Sequence, residues 1–168
     1  MQNLVIILAV ILAFGNNQES ALSRVRSLYQ KAPNEEGAAK DLLRFTNDFD
    51  EGNPVLLGYN GAAHMMMAKH VVNPFSKMSH FNKGKKIYKN AILSAPENIE
   101  LRFLRFAVQS EAPGFLGYKE NITEDKKFLM DEVLTLKDQE LRKLILDYLL
   151  ASKSMSAGEK IILKEKSN

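Results

Sequence analysis

Four polar side chains recur at helical spacing within "ENIELRFLRFAVQSEA": Asn98, Arg102, Arg105 and Gln109. At about 100° per residue they fall within a band of about 60°. Guanidinium forks beside carboxamides suit a peptide backbone or a carboxylate, so one reading is the floor of a partner-binding groove. The competing reading is internal. Arginines at a packed surface pair with acids from adjacent helices, and Asp125, Asp131 and Glu132 stand downstream. Ile99, Phe103, Phe106 and Ala107 flank the polar line on one side, and Leu101, Leu104, Val108 and Ala112 on the other. A helix with two apolar flanks packs against two neighbours, which puts the line at a seam between them. Glu100 and Glu111 face away from the arginines.

A second cluster is "HMMMAKH", where His64, Met66, Met67 and His70 offer imidazole and thioether donors. That is the ligand chemistry of a copper carrier. On a helix, consecutive methionines diverge by about 100°, so only pairs can chelate: Met66 with His70, or His64 with Met67. The structural alternative is methionine filling gaps in a buried helix. His80 belongs to a different helix and offers no spacing argument.

Other chemistries are excluded residue by residue. The chain has no cysteine, hence no thiolate nucleophile, and no disulfide holds the fold. No GxSxG motif occurs, and the nine glycines are scattered without a phosphate-loop or dinucleotide pattern. "NDFDEGN" suggests a calcium loop, but with Gly52 at the invariant glycine, Phe49 takes a ligand position and Gly58 replaces the bidentate acid. Asn121-Ile122-Thr123 is formally a sequon, and reads as a helix start capped by Thr123. The expectation is a non-enzymatic protein without a cofactor.

Leu4 to Phe14 is an unbroken apolar run. It is shorter than the roughly 20 residues that span a bilayer and matches a signal-peptide core. Small residues around Gly15 place cleavage there, leaving residues 16–168 as a single exported domain, periplasmic or secreted. Any membrane association then runs through residues 1–15 if they stay uncleaved. The net charge of +3 is unevenly spread: residues 51–94 carry six lysines against one acid, residues 95–135 eight acids against five bases. Such alternation describes solvated faces and inter-helix pairing, not a nucleic-acid stripe.

The elements that position these groups read by period as about seven helices, with no alternating strand pattern. Helices are expected over 21–32, 35–45, 56–72, 76–93, from Pro96 to about Ala112, from Thr123, over 139–152, and from Ser156. Ser94 with Glu97, and Ser156 with Glu159, have capping-box spacing. Gly58, Gly61, Ala62 and Met65 share a face that admits a close neighbour. Met78, Phe81, Gly84, Tyr88 and Ala91 form the inward side of the next helix. Phe115, Leu116 and Tyr118 of the following loop are expected to tuck into the core.

Gly84, Tyr88, Ala91 and Pro96 are spaced as in the second helix of a tetratricopeptide repeat, and "APENIELRFL" resembles the junction to the next repeat. The stretch from "NPFSKMSHFNKGKKIYKNAI" to "PGFLGY" also resembles small exported bacterial proteins of unassigned function. The repeat resemblance implies helices packed as antiparallel pairs, in an α-α superhelix or irregular bundle, that binds a peptide or protein partner. A small-ligand or copper carrier built on the 64–70 helix is the alternative.

Overall fold

The computed structural model describes residues 20–47 and 52–167. The expected signal segment and the middle of the acidic turn at 48–51 lie outside the described residues. The described chain is all-helical, as expected, and its eight α-helices correspond to the segments expected from periodicity. They are α1 (residues 20–31), α2 (Glu36–Asn47), α3 (Pro54–His70), α4 (Pro74–Ser94), α5 (Ile99–Glu111), α6 (Ile122–Glu132), α7 (Gln139–Ala151) and α8 (Ala157–Ser167). Short 3-10 turns at Gly114–Leu116 and Val133–Thr135 interrupt the connections. No helix among the described residues is long and apolar enough to cross a membrane.

Two Asn-Pro pairs set the start of the long helices. Asn53 Oδ1 accepts from the amides of Val55 and Leu56, and Asn73 Oδ1 from those of Phe75 and Ser76. The proline that follows occupies the first helical position, where its missing N–H costs nothing. Both helices therefore begin two residues earlier than the periodicity suggested. The box at Ser156 and Glu159 forms reciprocally: the Ser156 amide donates to Glu159 Oε2 at 2.7 Å, and the Glu159 amide to Ser156 Oγ at 3.2 Å.

The other two expected caps do not form. Ser94 Oγ turns back to the Asn90 carbonyl, and Asn98 caps α5 by accepting from the Leu101 amide at 3.1 Å. Helix α6 starts before Thr123, with no side-chain cap. Its lead-in is tied from outside, where the Asn121 amide donates to Gln109 Oε1 of α5 at 3.2 Å.

Helices α3 and α4 form the most extensive pair, followed by α2 with α3 and α5 with α6. The α3–α4 pair meets at glycines. A Cβ built on Gly84 would lie 2.8 Å from the Gly61 carbonyl oxygen and 3.0 Å from Met65 Cγ. Gly58 performs the same service against Leu101 of α5. Ten of the 17 residues of α3 are buried, which agrees with its nearly charge-free sequence. Helix α5 is the middle element, touching α3, α4, α6 and α7. It buries Glu100, Arg102 and Gln109 along with its apolar side chains. Its Phe103 meets Tyr29 of α1 edge-on at 6.2 Å and Tyr148 of α7 at 5.5 Å.

Filling the α3–α4 contact should cost what overpacking costs. Gly84→Ala should lower unfolding stability by about 1–3 kcal/mol in urea melts. Gly37 has open space around it in α2, so Gly37→Ala should be neutral or stabilising by up to about 1 kcal/mol.

Candidate functional site

The polar line on α5 ends on carboxylates. Arg105 holds Asp125 of α6 in a two-pronged bond, Nε to Oδ2 and Nη2 to Oδ1, both at 2.6 Å. Arg102 Nη1 reaches the same Oδ1 at 3.0 Å and also meets Glu124, while its Nε donates to the Pro96 carbonyl at 2.7 Å. Asp125 is 0 % exposed. Of the three acids offered by the sequence, only Asp125 pairs with these arginines; Asp131 is held instead by Lys127. Asn98 is spent as the α5 cap and Gln109 as the tie to α6. The four residues do converge on one seam, but it is closed by α6. Arg102 gains proton affinity against the pull of burial, through its bonds with Glu124 and Asp125. Arg102 in turn holds the Glu124 carboxyl below its ordinary range.

A second ion cluster on the opposite side of α5 was not legible in the sequence. Arg26 of α1 donates to both oxygens of Glu100, at 2.7 and 2.8 Å, and Tyr59 of α3 donates to Glu100 Oε1 at 2.6 Å. Asp138, the cap of α7, lies 2.9 Å from Arg26 Nη1. Burial first, and the Glu100 carboxylate second, push the Tyr59 hydroxyl far above its ordinary range. Arg26 and Glu100 are both about 95 % buried, so each neutralises a charge that could not otherwise remain in the core.

The histidine and methionine residues of α3 face different neighbours. His64 Nδ1 lies 2.9 Å from Nδ1 of His80 on α4, and one ring donates to the other. His70 Nε2 donates to the Ala32 carbonyl at 2.6 Å, tying the end of α3 to the α1–α2 turn. Met67 is buried in the core and Met66 opens onto a groove. Among the described residues, no three His, Asp or Glu side chains are placed to hold a metal ion. Burial first, then Lys83 and His80, lower the His64 pKa to about 4.

An apolar groove of about 960 Å³ opens on one side of the described helices. Its floor comes from the odd-numbered helices: Tyr29 of α1, Met65 and Met66 of α3, Phe103 and Val108 of α5, Leu144 and Tyr148 of α7. Met78 and Phe81 of α4 and Phe115 and Leu116 of the 3-10 turn wall one side, and Lys69, Lys77, Glu111 and Asp147 stand among the lining residues. Burial and then Glu111 push the Tyr148 hydroxyl up to about 12, so it stays neutral and donates to the Ala107 carbonyl.

No family model, curated protein or solved structure matches the chain.

Two expectations about apolar side chains are corrected here. Met78 is 45 % exposed instead of inward, because the first turns of α4 run past the core and over the groove. Of the loop residues, Tyr118 tucks in and meets Phe81 edge-on at 5.7 Å, whereas Phe115 stays 86 % exposed at the groove wall. The runs "MMM" and "PGFL" were the available signal for this site, but residue type alone does not report concavity.

Asp125→Ala leaves two largely buried guanidinium groups without their carboxylate and should cost roughly 3–5 kcal/mol. Adding Arg105→Ala should cost much less than the sum of the two single changes, a coupling readable from a double-mutant cycle in urea. His64 contributes a pH dependence of definite sign. Its folded pKa lies below the ordinary 6.5, so the unfolded chain binds the proton first as pH falls. Stability on the order of 2–3 kcal/mol is therefore lost between about pH 6.5 and pH 4. His64→Asn should flatten that part of the stability profile.

Proposed function

We propose that this protein is an exported, non-enzymatic helical domain that binds a peptide or protein segment, and that the seat is the apolar groove instead of the α5 arginine line. The observation that carries this is the groove itself: 22 residues from five helices and two of their connections line one concave surface that is mostly apolar. Such a surface is the default binding site in a domain of this size. Three methionines at the groove, Met65, Met66 and Met78, give it side chains that repack around different apolar faces. An amphipathic helix laid into the groove would bring anchors at i, i+3, i+4 and i+7 to that floor. Inner helices lining a concave face also agree with the tetratricopeptide-like spacing around Gly84 and Tyr88. Export rests on the Leu4–Phe14 run.

The arginines give no support to a second seat, since their donors are taken by Asp125, Glu124 and Pro96. The copper-carrier alternative draws no support from the separate engagements of His64 and His70.

Fluorescence anisotropy with a set of labelled amphipathic helical peptides tests this reading. Wild-type protein should bind members with apolar anchors at helical spacing and reject scrambled peptides of the same composition. Met78→Glu with Phe115→Glu changes two exposed wall residues and should weaken binding at least about tenfold with the melting curve intact. Equal affinity for the scrambled peptides, or no effect of the two glutamates, would refute it.

A further inference from the structure

We propose that the outer face of α4 docks the protein onto anionic phospholipid surfaces, a function separate from the groove. Helix α4 carries Lys77, Lys83, Lys85, Lys86 and Lys89 and no acidic residue in its 21 positions. All five lysines are exposed. Among the described residues only Lys85 has a carboxylate nearby, Glu120 at 4.0 Å. Elsewhere on the surface, lysines answer acids one turn away, as Lys40 does Glu36 and Lys143 does Asp147. Lys85 also sits over the Tyr118 ring; the remaining cations of α4 are left to an outside partner of negative charge.

Helical phase shows what shares the face. Gly84, Tyr88 and Ala91 are the buried residues of α4 and define its inward direction. At 100° per residue, the direction opposite carries Phe75, Lys86, Lys89 and Leu93. Phe75 is 87 % exposed and Leu93 69 %. Val72, just before the helix, is 90 % exposed. Large apolar side chains thus bracket the lysines, at positions about 27 Å apart along the axis.

That arrangement separates a lipid surface from a soluble polyanion. A polyanionic chain satisfies lysines but has no use for Val72, Phe75 and Leu93. A bilayer interface takes both, with phosphates against the ammonium groups and apolar tips below the headgroups. Each lysine near an anionic leaflet adds attraction, and the effect fades within a Debye length, so a helix lying flat on the side of Lys83, Lys86 and Lys89 brings these three ammonium groups to the surface together. Of the α4 residues that line the groove, Pro74, Lys77 and Phe81 lie on the side of α4 away from Lys86 and Leu93.

Sedimentation with vesicles tests the proposal, comparing pure phosphatidylcholine with phosphatidylcholine–phosphatidylglycerol mixtures. The protein should partition only onto the anionic vesicles, and less as salt rises. Lys83→Gln/Lys86→Gln/Lys89→Gln should lower the partition coefficient by roughly 100-fold, about fivefold per lysine. Phe75→Ser/Leu93→Ser should lower it by at least about tenfold. Both variants alter exposed positions, so an unchanged helical circular dichroism melt shows that the fold is intact. Equal partition onto neutral vesicles, or anionic-vesicle binding that survives either variant, would overturn the proposal. Retention on heparin without any vesicle partition would also overturn it, and would assign the face to a soluble polyanion.

Discussion

Helix α5 is held in place by two buried carboxylates of opposite parentage. On one side Asp125 comes in from α6 and receives the arginines of α5; on the other, Glu100 leaves α5 and receives Arg26 of α1 and Tyr59 of α3. Buried ion pairs add little net stability compared with well-packed apolar groups, but breaking one is expensive. Their effect here is on specificity. Any register of α1, α3 or α6 against α5 that misses these bonds leaves a charge in the core without a partner. In a chain with no disulfide, the two clusters single out one packing from many apolar ones of similar area.

The parts of this architecture that were legible in the sequence are those set by local chemistry. Phase along "IELRFLRFAVQ" correctly gave two packing flanks and a polar seam. The glycines of α3 announced a close approach because a missing Cβ is visible in the sequence, although Gly84 as the opposing residue was not. Asp125 was among three acids offered to the arginines. The choice between them depends on where α6 starts, and that is fixed by the Gln109 bond to Asn121, a contact between helices. Glu100 was read only as facing away from the arginines. Its partner Arg26 lies 74 positions earlier, beyond the reach of any spacing rule.

The groove marks the same limit from the other direction. Every residue on its floor was legible as apolar, and Met65, Phe103 and Val108 were placed on packing faces of their helices. Phe103 meets both Tyr29 and Tyr148 in the core, and all three residues also line the groove. Period analysis places a side chain on a face of its own helix; it does not say whether the neighbour runs far enough to cover it. Met78 and Phe115 were misplaced for this reason, since α4 and the 3-10 turn overhang a hollow instead of a filled layer.

Gly84 is the midpoint of α4, with ten residues on each side. The tight contact with Gly61 therefore sits where the fulcrum of a lever would be. Each arm is about 15 Å long, so a tilt of about 10° around that point moves the two ends by about 2.6 Å in opposite directions. One end carries Pro74 and Met78 at the groove wall. The other runs into Pro96, whose carbonyl is bonded to Arg102. The wall of the groove and the ion cluster under α5 are thus opposite ends of one rigid beam, and a displacement at either end is geometrically a displacement at both.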